Sequence, residues 1–312
     1  MTTTDKKTPV QYQLFVIQRF KGKVLFDVPM SGYTSWHIGG PADVMAFPAD
    51  EGDLRDIMTF AESKGFAVYV IGAGTNILVR DGGVRGVVIN MMEGFKDITW
   101  HDAGEDVKAV AGAGLLLSEL LSECKGRGLA GLEFACGIPG ALGGAVVMNA
   151  GAYGGEMKDV CDGVELVTKK GQRRFVPKDE IGFGYRTTDL PKGGIITRVH
   201  LRFKRSDAAA VKERIEAVAA KRKASARIAY PNAGSVFKNP EGNSAGRLIE
   251  EAGLKGEVSG GAQVSSAHAN YIVNLGNAKA RDVLQLMAAM RDRVYSRSGV
   301  LLEPEIKVLG ED

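Results

Sequence analysis

Gly131-Leu132-Glu133-Phe134-Ala135-Cys136-Gly137-Ile138-Pro139-Gly140-Ala141-Leu142-Gly143-Gly144-Ala145-Val146-Val147-Met148-Asn149-Ala150-Gly151-Ala152-Tyr153-Gly154 is the stretch on which the reading of this chain turns. Glycine and alanine dominate it, and only Glu133 carries charge. Glycine admits torsions closed to other residues and lets main chain approach a ligand closely. Flexible linkers of this density are polar, whereas this run carries Leu, Ile, Phe, Val and Met, so it reads as buried and ordered. Either its N–H groups line a phosphate-bearing ligand, or its backbone packs tightly against other backbone. The run alone leaves both readings open.

Upstream lies a second loop of the same kind. Residues 66–71 are an apolar β-type run that leads into Gly72-Ala73-Gly74-Thr75-Asn76. Ile77 stands where a dinucleotide fingerprint needs its third glycine, and no Gly-Lys-Ser/Thr follows, so neither standard phosphate motif is present. Before it, Asp50 caps a predicted helix with Leu54, Ile57, Met58 and Ala61 on one face, stopped at Gly65. Beyond the glycine run, Val164 to Thr168 and Arg173 to Val176 predict a hairpin, and Ile195, Thr197, Val199, Leu201 and Phe203 alternate as a half-buried strand. On that pattern His200 is a surface residue. At Asp207 the texture changes to charged helix, and a long helix carrying Val283, Leu286, Met287, Met290 and Val294 precedes a closing strand. The expected divisions are an edge segment to residue 30, units at 31–95, 96–206 and 207–300, and a C-terminal strand at 301–312.

Composition narrows the function. The chain has 312 residues, 45% hydrophobic and 25% charged, with 41 glycines. A formal charge of +3 without basic clusters argues against a nucleic-acid footprint. No apolar run approaches a membrane span and the first residues are polar, so a cytoplasmic location is expected. Cys124, Cys136 and Cys161 show no CxxC spacing, and His37, His101, His200 and His268 are scattered, which predicts free thiols and no metal site.

Polar residues that packing does not explain occur at three places. Arg186 follows Gly182-Phe183-Gly184-Tyr185 and can hold a carboxylate through two parallel hydrogen bonds, or simply stack on Tyr185. Ser235 sits in Tyr230-Pro231-Asn232-Ala233-Gly234-Ser235-Val236-Phe237-Lys238-Asn239-Pro240, which is not a nucleophile elbow and by itself reads as a turn serine. Glu305 interrupts an apolar tail, where alternation also permits a wet face.

Taken in order, Tyr33-Thr34-Ser35-Trp36-His37-Ile38-Gly39-Gly40-Pro41-Ala42, the 71–76 loop, the 137–145 loop, Met148-Asn149-Ala150-Gly151-Ala152-Tyr153-Gly154, Phe183-Gly184-Tyr185-Arg186, Ala233 to Pro240 and Leu302-Glu303-Pro304-Glu305 resemble the UDP-N-acetylenolpyruvoylglucosamine reductase family. The resemblance runs from about Gly32 to the C-terminus. It implies an α+β FAD-binding fold of the vanillyl-alcohol-oxidase type. The units at 31–95 and 96–206 would hold non-covalent FAD, and the unit at 207–300 would cover the substrate. Ile71, Gly72, Ala73, Gly74, Thr75, Asn76, Gly137, Ile138, Pro139, Gly140, Ala141, Gly143, Gly144 and Ala145 would bind the FAD pyrophosphate.

The resemblance also implies the chemistry. NADPH would reduce FAD and leave, and hydride would pass to the terminal carbon of the enolpyruvyl sugar nucleotide, giving UDP-N-acetylmuramate for peptidoglycan synthesis. Arg186 and Glu305 would stabilise the resulting enolate, with Glu305 protonated so that it donates a hydrogen bond, and Ser235 would protonate the carbon. Tyr185, Lys238 and Asn239 would contact substrate, and the enzyme would act as a monomer. The chain follows the shorter branch, without an inserted tyrosine loop after Tyr185. Arg227-Ile228-Ala229 stand where Gln-Pro-Leu is common, and Cys136 replaces a frequent Ser. An oxygen-using oxidase of the same fold and a non-enzymic nucleotide sensor are the competing readings; neither accounts for Arg186, Ser235 and Glu305 together.

Overall fold

The computed structural model describes residues 20–225 and 228–312. Most of the expected edge segment and Arg227 therefore lie outside the described residues.

The first unit is a four-stranded sheet in the order Lys23–Pro29, Pro41–Phe47, Val84–Asn90, Val68–Ile71. The last three run parallel and the first pairs antiparallel at the edge. The predicted helix forms as Glu51–Lys64, with the Asp50 carboxylate accepting from Asp53 N and Gly65 left-handed at its end. Its Leu54, Ile57 and Phe60 pack on Val44, Val87 and Ile89, while the other sheet face buries Met45, Val88 and Ile71.

An antiparallel sheet builds the second unit, in the order Arg173–Pro177, Cys161–Val167, Ile195–Arg205, Asp106–Gly112, Ile98–Ala103. Alternation sends Val199, Leu201 and Phe203 into its core, where the helices Leu117–Gly126 and Leu142–Val147 cover them. Burial pushes the Cys124 thiol up to about 12 and the Cys161 thiol to about 11, so neither is a nucleophile near neutral pH. The opposite face is wet. There His200 Nε2 lies 2.7 Å from Glu165 Oε1 and edge-on to Phe175.

The helix Ala208–Ser225 begins at the expected division near Asp207, but its Ile215 packs on the second core and Arg214 Nε donates to Glu133 Oε1 at 2.8 Å. The last unit surrounds a small sheet of Val258–Ser259, Ala262–Val264 and Ile272–Asn274 with the helices Ala245–Glu251 and Ala280–Ser298. Its core also takes in Trp36, Ile38 and Leu78 from the first unit and Leu302 and Ile306 from the tail.

Trp36 is the latch between the first and last units. It is fully buried, its indole N–H donates to Ile272 O at 2.8 Å, and its carbonyl accepts from Asn274 Nδ2 at 2.8 Å. Trp36→Ala should cost about 3–5 kcal/mol in chemical denaturation. A loss below about 1 kcal/mol would show that the units do not depend on this contact. The tail closes the molecule: Lys307–Leu309 pairs in parallel with Ile77–Val79, directly after the first glycine loop.

Candidate active site

The two glycine loops meet. A Cβ on Gly72 would stand 2.9 Å from Ala141 Cβ, and one on Gly140 would stand 3.1 Å from Thr75 Oγ1. Gly140 has φ +134°, a conformation that L side chains rarely adopt, so glycine is required there twice over. Thr75 Oγ1 donates to Pro139 O at 3.2 Å and closes the junction.

In the first loop two carbonyls are taken: Gly74 O accepts from Ser35 N and Asn76 O from Lys307 N. The amides of Ala73, Gly74, Thr75 and Asn76 donate to no protein group among the described residues. Such a run of unengaged donors is suited to an anion. The second loop is divided. Ile138 N and Gly143 N donate to Ala135 O and Ala113 O, and Ala145 N to Ala141 O, so they are not available to a phosphate. Gly143 serves close packing instead, since a Cβ there would lie 2.9 Å from Ala113 Cβ. Gly137, Gly140, Ala141 and Gly144 keep N–H groups without a protein acceptor among the described residues, the last exposed at the head of its helix. Close packing and open amides thus fall at different residues of the one run. Gly137, left-handed at φ +74°, has the Arg222 side chain packed against it.

Beside the first loop a cavity of about 310 Å³ is lined by Tyr33, Thr34, Ser35, Gly72, Ala73 and Asn90. Ser35 Oγ is buried there with no hydrogen-bond partner. An orphaned hydroxyl next to open amides fits a dinucleotide cofactor with its phosphates on the loops. Ser35 escaped attention in the sequence, where its only signal was a hydroxyl between Thr34 and Trp36.

Of the three polar residues, Arg186 and Glu305 meet through their side chains, and the Ser235 loop adjoins Glu305 through its backbone. Tyr185 and Arg186 form the turn of a hairpin whose legs are Gly182–Gly184 and Thr187–Asp189. Arg186 holds φ +55° in that turn, an uncommon conformation for a non-glycine residue. Its guanidinium makes three contacts: Nη2 donates to Gly151 O at 2.9 Å, Nε lies 3.1 Å from Glu305 Oε1, and the Tyr185 ring centroid is 5.2 Å away. Stacking and carboxylate pairing, alternatives in the sequence, occur together.

Glu305 is delivered by the tail. Its N–H donates to Val236 O at 2.9 Å, its carbonyl accepts from Asn76 Nδ2 at 3.3 Å, and Phe237 faces Pro304 across a bridge. Glu305 is thus fixed between the first loop and the Ser235 loop, with its side chain 18% exposed and not on a wet face. Burial raises its carboxyl above the usual range, against the opposing pull of Arg186 and Lys238. A folded-state pKa above the unfolded one favours the fold at low pH, and that contribution is lost as pH rises through the folded value. Glu305→Gln should therefore raise the melting temperature near neutral pH, with the gain vanishing below the ordinary carboxylate range. A gain independent of pH would contradict the assignment.

Ser235 is half-buried, next to left-handed Gly234, and its hydroxyl makes no hydrogen bond among the described residues. Asn270 clamps the adjoining backbone, accepting from Phe237 N and donating to Phe237 O. Lys238, 16% exposed, is 2.6 Å from Glu303 Oε1. Asn239 Oδ1 accepts from Ala245 N and so supports a helix start, while Tyr185 stands half exposed beside Arg186. Among the described residues no cluster of His, Cys, Asp or Glu is placed to hold a metal ion. A larger cavity of about 980 Å³ lies on the wet face of the second sheet, lined by Lys108, Phe175 and His200, and none of the three residues above borders it.

The chain is a flavoprotein of the vanillyl-alcohol-oxidase fold, with open amides on paired glycine loops and a part-buried Arg–Glu pair. Residues 42–175 match the FAD binding domain model, and residues 222–309 match the model described as UDP-N-acetylenolpyruvoylglucosamine reductase, C-terminal domain. The chain is 45% identical to the UDP-N-acetylenolpyruvoylglucosamine reductase of Heliobacterium modesticaldum over 95% of its own length and 94% of that protein. It is 46% identical to the reductase of the same name from Desulforamulus reducens, covering 94% and 95%. The crystal structure of the Thermus caldophilus enzyme superposes with a TM-score of 0.78 at 38% identity, covering 93% of this chain and 99% of that one. The chain belongs to the UDP-N-acetylenolpyruvoylglucosamine reductase family.

Proposed function

We propose that Arg186, Glu305 and Ser235 carry the reductase chemistry of this family. The chain is an FAD- and NADPH-dependent oxidoreductase that reduces the enolpyruvyl ether of UDP-N-acetylglucosamine to the lactyl ether in peptidoglycan synthesis. Bound FAD would supply the hydride chemistry, linking NADPH as donor to the terminal enolpyruvyl carbon as acceptor. The amides of residues 73–76, with Gly140, Ala141 and Gly144, would hold its phosphates, and Ser35 would donate to it at the cavity wall.

The substrate side belongs to the chain's own groups. Arg186 already faces one carboxylate and presents further N–H donors to the carboxylate of the substrate, where negative charge grows. Glu305 brings a carboxyl whose burial favours the neutral form, and a bound substrate carboxylate would favour it further. A neutral Glu305 donates a hydrogen bond where an ionised one would repel. Ser235 would bring a proton-bearing oxygen to the substrate, and a carbon base is strong enough to take its proton. Tyr185 from the hairpin and Lys238 from the unit at 228–300 would contact the substrate. No helix among the described residues is long and apolar enough to cross a membrane. A monomer acting on a small-molecule substrate in the cytoplasm, without nucleic acid, is the matching assignment.

The observation that carries this reading is the Arg186–Glu305 contact at 3.1 Å, built by hairpin and tail from distant parts of the sequence. The test is anaerobic: NADPH should bleach the flavin, and the enolpyruvyl nucleotide should restore its colour. Bleaching with no recolouring on substrate would overturn it.

A further inference from the structure

We propose that Asn149 is a positioning residue for Arg186, tying the hairpin that presents the guanidinium to the glycine-rich segment behind it. Asn149 is 1% exposed and has φ +39°, a left-handed conformation that Asn tolerates better than most side chains. All its amide functions are engaged. Nδ2 donates to Gly184 O at 3.0 Å and to Glu156 Oε2 at 2.7 Å, and Oδ1 accepts from Lys158 N at 2.9 Å. Two acceptors on one side and an N–H on the other fix which end of the amide is nitrogen.

Gly184 is two residues from Arg186, and Gly151, which accepts from Arg186 Nη2, is two residues from Asn149. The far leg of the hairpin is held as well, by Thr188 Oγ1 donating to Val146 O at 2.6 Å. Residues 146–151 thus grip the hairpin at three points, and Asn149 supplies the one directly behind the turn. Arg186 needs that support because its own φ is positive, a conformation that would relax if the turn were released. The same segment begins as the helix Leu142–Val147, whose head carries Gly143 and Gly144 of the second glycine loop. A single rigid piece therefore runs from the cofactor loop to the catalytic arginine.

The inference rests on the role given to Arg186, and the experiment separates the two. Asn149→Gly keeps the left-handed backbone and deletes the amide; Asn149→Asp keeps Oδ1 but puts a charged acceptor against Gly184 O and Glu156 in place of the donor. Each is studied as FAD holoenzyme by stopped flow, alone and combined with Arg186→Ala. NADPH-driven flavin reduction should stay within about twofold of wild type, while substrate-driven reoxidation should fall about 100-fold, the usual effect of a displaced catalytic group. In the Arg186→Ala background the Asn149 change should add less than about twofold, because the two share one function. A full multiplicative loss there, or normal reoxidation in both single variants, overturns the positioning role. Normal reoxidation in Arg186→Ala by itself overturns the reading of Arg186 instead.

Discussion

Ser235→Ala should leave reduction of the flavin by NADPH unchanged while slowing substrate-driven reoxidation by about 1,000-fold, within the range set by loss of a positioned general acid. The split follows from the local structure. The backbone around Ser235 is fixed by Val236 N donating to Asn270 O and by the two bonds between Asn270 and Phe237, none of which involves the hydroxyl. The hydroxyl has no partner to lose among the described residues, so its removal should cost little stability. What disappears is a proton source on the loop that adjoins Glu305, whose N–H bonds to the carbonyl of the next residue, Val236. Stopped-flow absorbance of the flavin separates the two half-reactions, and Ser235→Cys, which restores an acidic hydrogen, should recover part of the second. Equal losses in both halves would remove Ser235 from the proton-transfer step.

Glu305→Ala should lower the second half-reaction by about 100- to 1,000-fold, the typical effect of deleting one donor to a developing oxyanion. Glu305→Gln should retain most of the rate, because the amide keeps a donor without charge. The wild-type half-reaction should fall as pH rises through the raised carboxyl value, since only the protonated form donates. The charged groups facing Glu305 are Arg186, Lys238 and Lys307, all cationic, so they oppose that rise, and burial prevails. In Glu305→Gln this alkaline limb should be absent. A Gln variant as slow as the Ala variant would mean that Glu305 acts as an anion.

Much of the fold was legible because local rules and tertiary packing agree. Asp50, Gly65 and the apolar stripe between them specify the Glu51–Lys64 helix by capping and periodicity alone. Alternation in Ile195–Arg205 predicted a strand with one wet face, and His200 lies on that face, half-buried against Glu165 and Phe175. Asp207 marked a real change of texture, yet the helix that follows lies against the second core, since charge pattern tells where a helix starts and not what it packs on. Within the glycine run, the residues that serve packing and those that face open space have the same letters. Gly143 sits against Ala113 while neighbouring Gly144 meets nothing within 4 Å.

The sequence by itself determined the glycine loops, the helices and strands that flank them and, through the order of its motifs, the family. It also singled out Arg186, Ser235 and Glu305 as unusual. Only the tertiary structure decided that Arg186 meets Glu305, that Asn76 and Val236 hold Glu305 from both sides, and that Asn149 stands behind Arg186. The physical reason is distance along the chain. Capping, periodicity and turn chemistry act over a few residues, whereas the contact between Asn76 and Glu305 spans 229 positions and exists only once the tail has paired with the strand at Ile77–Val79.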